Sequence, residues 1–301
     1  MSSFPALDAG QLTALQQAID GGFRAFSERH GAGIEAAFAP LQALLITAEQ
    51  GLLALPWWAL LAAVAALAWA ASRRWTLALG SAAALALLGL FGLWDDTLKT
   101  LAMVTVATLL AVAIGGPLGV AMARLPVLRR LLTPLLDGLQ TLPSFVYLIP
   151  AVMLLGIGRV PGLLAVLAYA LPPMVRLTCL GLREVDRDVL EAADAFGATP
   201  WQRLTQVQLP LALPTVMAAI NQTIMMALAM VVVAAMIGVQ GLGQPVLRAI
   251  NNQHMALGLF NGLAIVVIAV VFDRIAQAWG WRLQRHRQAP AGPVPGQGAG
   301  G

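Results

Sequence analysis

The chain has one lysine, Lys99, and it is followed by Thr100 but not preceded by a glycine-rich turn. A loop that cradles nucleotide phosphates needs both the glycines and the lysine. The chain therefore cannot hydrolyse a nucleoside triphosphate through that motif. His30, His254 and His286 lie far apart and offer no metal cluster. Cys179 is alone and lies in an apolar run, so no intrachain disulfide can form. No Ser-His-Asp or paired-carboxylate arrangement is readable. The chemistry left is non-covalent. It resides in amides, methionines and aromatics inside apolar runs, and in one polar segment lodged between two such runs.

That segment is EAADAFGATPWQRLTQVQLPLALP, Glu191 to Pro214. Glu191, Ala192 and Ala193 favour helix, and no breaker comes before Gly197. Gly197 permits a sharp turn. Thr199-Pro200 is a helix start, with Thr199 as N-cap and Pro200 in the first helical position. Leu209-Pro210 is expected to end this second short helix. The pattern is helix, glycine turn, helix, proline. It must project from apolar surroundings and touch something.

Hydrophobic residues make up 59% of the 301 residues and charged ones 11%, with a mean hydropathy of +0.79. A soluble domain carries about a quarter charged residues. Apolar runs of about 20 residues without alternation indicate membrane helices rather than a barrel. The isoelectric point near 10.2 does not signal nucleic acid, because the arginines sit at the ends of apolar runs, where the positive-inside rule places them. The expectation is an all-α transmembrane bundle of about seven spans. They are Leu52–Ser72, Trp75–Trp94, Leu98–Ala123, Leu139–Ile157, Leu163–Leu182, Leu211–Val239 and Leu257–Trp279.

Arg73 and Arg74, then Arg124, Arg129 and Arg130, then Arg183, Arg187 and Arg203, then Arg282, Arg285 and Arg287 fall on alternate connections. Those are the cytoplasmic ones. The N-terminus is then outside and the C-terminus inside. Residues 1–50 lack the basic start and compact apolar core of a signal peptide. Leu12, Leu15, Ile19, Phe23 and Phe26 recur at helical steps, with Asp20, Arg24 and Glu28 on another face. This reads as an extracytoplasmic amphipathic helix resting on the membrane or on neighbouring spans. Residues 51–97 form two peripheral spans and 98–280 a core domain holding the polar loop at 183–210. Residues 281–301, which end in the Gly/Pro-rich AGPVPGQGAGG, are expected to be a disordered cytoplasmic tail.

Several spans carry breakers. Gly115-Gly116-Pro117 is expected to interrupt the third, Pro143 and Pro150 the fourth, and Pro172-Pro173 the fifth. Gly115 and Gly119 also make a small-xxx-small face. These are packing devices, or bends that line a pathway, or both.

The Glu-Ala-Ala, Gly and Leu-Pro spacing of the polar loop resembles the "EAA" loop of permease subunits of bacterial ATP-binding-cassette importers. Three further stretches, residues 135–162, 168–185 and 208–250, resemble permeases of glycine betaine/proline betaine/choline importers. LQTLPSFVYLIPAVM and INQTIMMALAMVVVAAMIG carry the likeness most specifically. It runs from about Trp57 to Trp279. The resemblance implies the type I importer permease fold and two permease copies around a central pathway. It also implies two cytoplasmic ATPase subunits and a periplasmic or lipid-anchored binding protein. No cofactor is expected on this chain; ATP and Mg belong to the ATPase. On this resemblance Glu191, Ala192, Ala193, Asp194, Gly197, Ala198, Thr199, Arg203, Leu209 and Pro210 form the ATPase-coupling loop. Arg203, Asp194 and Glu191 touch the ATPase or brace the two short helices.

A quaternary ammonium group is held by aromatic faces through cation–π attraction. Phe145 and Tyr147, between two prolines, are the aromatic candidates for the pathway, or else they face lipid or core. Asn221, Gln222 and Thr223 are amide and hydroxyl candidates in the sixth span, with Met153, Met225 and Met226 as soft lining. Interhelical hydrogen bonding explains the amides nearly as well. Phe145–Met153 and Asn221–Met230 contain no Asp or Glu, as expected for a path that passes a cation without trapping it. Arg176 snorkels or pairs with an acid, either Asp137 or Asp273. The rival readings are a permease for methionine or a sulfonate, an ATP-independent transporter or channel, and a membrane scaffold. Inverted repeats would favour the stand-alone transporter, and none is visible. A scaffold leaves the breakers and intramembrane polar residues without a purpose.

Overall fold

The structure is a computed structural model and describes residues 8–285. Among the described residues every regular element is helical. Helix α1 (Ala9–Ala54) is followed by a hairpin of two apolar helices, α2 (Trp57–Ser72) and α3 (Trp75–Leu90). Then come α4 (Trp94–Arg124), α5 (Pro126–Thr141), α6 (Leu148–Leu155) and α7 (Arg159–Arg183). A polar corner holds α8 (Arg187–Ala195) and the single turn α9 (Pro200–Gln202). The chain continues through α10 (Leu209–Ala234), α11 (Gly243–Asn252) and α12 (Met255–Arg285). The C-terminal tail lies largely outside the described residues.

Five helices are long and apolar enough to cross a membrane, and the α5–α6 pair adds a sixth, bent span. Helices α2 and α3 have 16 residues each, about 24 Å at 1.5 Å per residue. Counting the hairpin, α4, the bent pair, α7, α10 and α12 reproduces the seven expected spans. The first begins at Trp57 rather than Leu52. Pro56 forces Leu55 into an extended conformation (ψ 135°) and ends α1 there. Helix α1 itself also passes the length and hydropathy test.

Helix α7 is the centre, packed between α4 and α10. Small residues bring the three together. A Cβ on Gly119 of α4 would stand 2.7 Å from Thr178 Cβ and from the Val175 carbonyl of α7. One on Gly181 of α7 would stand 2.8 Å from Thr215 Cβ of α10. Close backbone approach of this kind replaces the hydrophobic effect, which lipid does not supply between helices. The main core runs from Leu85 and Leu88 through Met103, Val104, Val166 and Leu228 to Ile268.

The expected breaks are fewer in the fold. Helix α4 runs unbroken through Gly115-Gly116-Pro117, and α7 runs unbroken through Pro172-Pro173. Pro172 and Pro173 are both buried, and packed neighbours hold such a helix together despite the lost bonds. Only Pro143 breaks its span. Leu142 before it is extended (ψ 137°), and the helices on either side bend by 109°. The fourth span is therefore not one helix from Leu139 to Ile157. It is amphipathic α5, a 3-10 turn at Ser144–Tyr147, and α6.

Helix α1 is tied to the bundle at two points. Ser27 Oγ donates to the Met153 carbonyl at 2.7 Å, and Arg159 pairs with Glu49 at 3.1 Å. Both ties meet the α6–α7 turn. Leu12, Leu15, Ile19 and Phe26 of its expected apolar face are exposed in the single chain.

Candidate functional site

The polar corner is defined by caps at every joint. Asp186 opens α8, its Oδ1 accepting from the Asp188 N–H at 3.0 Å. The helix closes on Gly197, where φ is +79°. Gly197 N–H donates to Asp194 O at 3.0 Å and Ala198 N–H to Ala193 O at 3.1 Å. This is the Schellman pairing, which satisfies the last carbonyls of a helix. No atom lies within 4 Å of a Cβ built on Gly197. The position needs glycine for its backbone alone.

Two residues later the next helix begins with a capping box. Thr199 Oγ1 accepts from Gln202 N–H at 3.3 Å, and Gln202 Oε1 accepts from Thr199 N–H at 2.9 Å. Pro200 takes the first helical position, as expected. The expectation at the other end fails. Leu209-Pro210 does not end a short helix, because Pro200 to Ile237 is one continuous helix. A π-helical stretch at Arg203–Gln208 widens it, and Leu209 N–H reaches back to Leu204 O. The wider turn accommodates Pro210, which has no N–H to give.

Arg203 Nη1 donates to Asp194 Oδ2 at 2.8 Å and braces α8 against the π-turn. Arg124 Nη2, at the end of α4, donates to Pro200 O at 2.9 Å. Beneath the corner Leu182, Val185, Leu204 and Ala212 form a small apolar core separate from the main one. Beside it lies a cavity of about 370 Å³, lined by Arg124, Arg183, Arg187, Glu191, Asp194 and Arg203 among others. Glu191 itself is exposed.

Two aromatics at the corner are left uncovered by the described residues: Phe196 is 94% exposed and Trp201 69%. Sequence reasoning passed over both aromatics, and used Arg124 only to mark the cytoplasmic side. The signal for the aromatics was present, since large rings in a segment otherwise polar enough for water need something to cover them. Nothing in the sequence pointed to the bond from Arg124, which spans 76 residues.

The pathway candidates do not share one surface. Thr223 is fully buried and donates to its own helix at Ala219 O, 2.8 Å away. Asn221 and Met226 are half-buried, while Gln222 and Met225 are exposed on α10. Phe145 is exposed, whereas Tyr147 is half-buried, its hydroxyl donating to Leu139 O and Leu142 O across the α5–α6 bend. Met153 offers its carbonyl to Ser27. The two open acid choices for Arg176 resolve to Asp137 of α5. Asp273 of α12 instead accepts from Asn221 Nδ2 at 2.6 Å and from Gln277. The α10 stretch is thus acid-free only in sequence. The fold brings a carboxylate to Asn221 from 52 residues away.

Among the described residues no group of three or more His, Cys, Asp or Glu could hold a metal. A packed bundle of apolar helices with one capped, water-facing corner defines a multi-pass helical membrane protein. The family described as "Binding-protein-dependent transport system inner membrane component" matches residues 115–285, and the chain belongs to it. It is 51% identical over 193 residues to the glycine betaine/proline betaine transport system permease protein ProW of Escherichia coli (strain K12). That match takes in 64% of this chain and 54% of the relative, so the chain spans about half that relative's length. The glycine betaine/carnitine transport permease protein GbuB of Listeria monocytogenes serotype 1/2a (strain 10403S) is 47% identical over 207 residues, 69% of this chain and 73% of GbuB. A solved structure of the inward-facing MetNI methionine ABC transporter shares the fold with a TM-score of 0.53 at 25% identity. That superposition covers 64% of this chain and 95% of the other.

Proposed function

We propose that this chain is the permease subunit of an ATP-driven importer for glycine betaine, choline, proline betaine or a related small quaternary ammonium compound. The observation that carries the reading is the capped corner at Arg187–Gln208. It is capped at each joint, stands on its own small core, and offers Phe196 and Trp201 uncovered. Such a corner suits insertion into a cleft on a separate ATPase. Two permease copies pair around a central path, with the exposed Gln222 and Met225 of α10 facing it. A periplasmic or lipid-anchored binding protein delivers the solute. ATP and Mg act on the ATPase; closure of its dimer pushes the corners, and the spans rock between outward- and inward-facing states. The corner lies on the cytoplasmic side, the N-terminus outside and the C-terminus inside, in the bacterial inner membrane.

Relatives named for glycine betaine at 47–52% identity support this solute class. The methionine transporter is like this chain at 25%, which makes methionine the weaker reading. The test uses proteoliposomes holding this permease, its ATPase and its binding protein. ATP-dependent uptake of radiolabelled glycine betaine or choline is the expected result. Uptake of methionine or a sulfonate with neither of these would overturn the solute assignment.

A further inference from the structure

Four arginines converge where no carboxylate among the described residues pairs with them. Arg73 and Arg74 form the α2–α3 turn, and Arg274 and Arg282 stand on α12. All four line one cavity of about 570 Å³, together with Gln277 and Trp281, a volume within the range of small-molecule sites. The turn is built to hold its charges there. Arg73 takes φ +56°, where glycine is usual, and its guanidinium lies 4.7 Å from the centre of the Trp69 ring. Arg282 donates to Ala70 O at the end of α2, which joins α12 to the hairpin.

Among the described residues none of the four forms an ion pair. The sequence has no Asp or Glu between Glu49 and Asp95, and none after Asp273. Asp273 is already engaged by Asn221 and Gln277. The positive-inside rule explains arginines at span ends. It does not explain four of them from two ends of the sequence around one cavity. Their mutual repulsion calls for an anion from outside the chain. The cavity wall is largely apolar, with Ala71, Leu77 and Ala278 beside the arginines. Trp75, next to Arg74, and Trp281, in the cavity wall, stand exposed, each 67%, as tryptophans do at a membrane–water interface. Guanidinium groups match phosphate oxygens bidentately.

We propose that this cavity binds an anionic phospholipid, its phosphodiester held by Arg73, Arg74, Arg274 and Arg282 and its chains lying along α2 and α12. The proposal rests on membrane insertion of these helices and is independent of the solute carried. The test is native mass spectrometry of the purified full-length permease, without its ATPase, titrated with phosphatidylglycerol or phosphatidylcholine. Phosphatidylglycerol should be retained at least about fivefold more strongly, and R74Q and R274Q should each weaken that retention about fivefold. R274K should lose less than R274Q. R130Q, an exposed arginine on α5 outside the cavity, should retain the lipid like the unaltered chain. Variants are compared only as monodisperse peaks of unchanged elution volume, and R274K keeps the comparison open where a glutamine variant fails that check. Equal retention of the two lipids would overturn the proposal. So would an R130Q loss as large as that of R274Q, or displacement of the lipid by inorganic phosphate. Displacement by added ATPase would assign the arginines to a protein partner instead.

Discussion

The α8–α9 corner and the α5–α6 bend are both punctuated by glycine or proline, yet they are built on different physics. The turns of the corner are made by contacts within five residues, Asp194 to Gly197, Ala193 to Ala198 and Thr199 to Gln202, with Arg203 and Arg124 as added braces. Its small core of Leu182, Val185, Leu204 and Ala212 sits under a water-facing segment, so the hydrophobic effect seats it. The bend is opened by one proline, capped by Tyr147 from within, and otherwise held by partners from elsewhere. Arg176 of α7 holds Asp137, Tyr147 caps carbonyls across the break, and Ser27 of α1 holds Met153. Local rules decide the first region and tertiary packing decides the second.

The sharpest way to break this contrast is Gly197. Its φ of +79° with empty space around it makes conformation the whole constraint. Gly197→Val should leave the protein in the membrane yet reduce betaine uptake to background, because a β-branched residue resists the left-handed region. Gly197→Asn should keep a substantial part of the uptake, since asparagine tolerates that region. Radiolabelled uptake in the reconstituted importer measures both. Equal loss in the two variants would mean that a contact with the partner, rather than backbone conformation, is what glycine serves.

The corner's own core comes next. Leu204 is 4% exposed, and truncating a buried leucine costs about 2–5 kcal/mol. In Leu204→Ala the helices of the main core should persist while the corner loosens. Limited proteolysis should then cut within 187–208 at least tenfold faster, with little change in the global melting temperature. A melting temperature that falls with no faster cleavage would show the corner and the bundle to be one cooperative unit.

These two regions also mark what was legible. The caps at Gly197 and Thr199 and the Pro200 start were readable because each signal lies beside the structure it makes. The fold class and the seven apolar segments were readable for the same reason, from run length alone. The end of the second short helix was misread at Pro210, because the π-turn at Arg203–Gln208 just upstream absorbs the proline. Breaks at Pro117 and at Pro172-Pro173 were misread because the close packing of α4, α7 and α10 holds those helices straight through them. The carboxylate beside Asn221 was invisible, since nothing local to residue 221 points to Asp273.

That long-range pair gives the third prediction. Asn221 Nδ2 donates to Asp273, while Asn221 Oδ1 is buried with no hydrogen-bond partner among the described residues. Asp273→Ala leaves both ends of the amide unsatisfied, at a cost of about 1–2 kcal/mol. The purified permease should melt a few degrees lower, and Asn221→Leu in the same background should recover part of the loss. No recovery would show that Asp273 matters through another partner.

The smallest effect separates two roles for Tyr147. Its ring was singled out as a face for a methylammonium group, but its hydroxyl joins Leu139 O and Leu142 O across the break. Tyr147→Phe keeps the ring and removes those bonds. A hydrogen bond contributes about 0.5–1.5 kcal/mol, so this variant should slow uptake roughly two- to tenfold if the bend must be pinned for transport. Tyr147→Ala removes ring and hydroxyl together. The lost cation–π partner alone is worth about 0.5–2 kcal/mol, several-fold to about thirtyfold in rate. Comparable slowing in both variants would place Tyr147 in the bend rather than in the path. Normal uptake by Tyr147→Phe with slow uptake by Tyr147→Ala would return the ring to the path and leave the bend held by Pro143, the Arg176–Asp137 pair and the Ser27–Met153 bond. The binding protein's own affinity, measured in parallel, should be the same in every case, because neither change touches it.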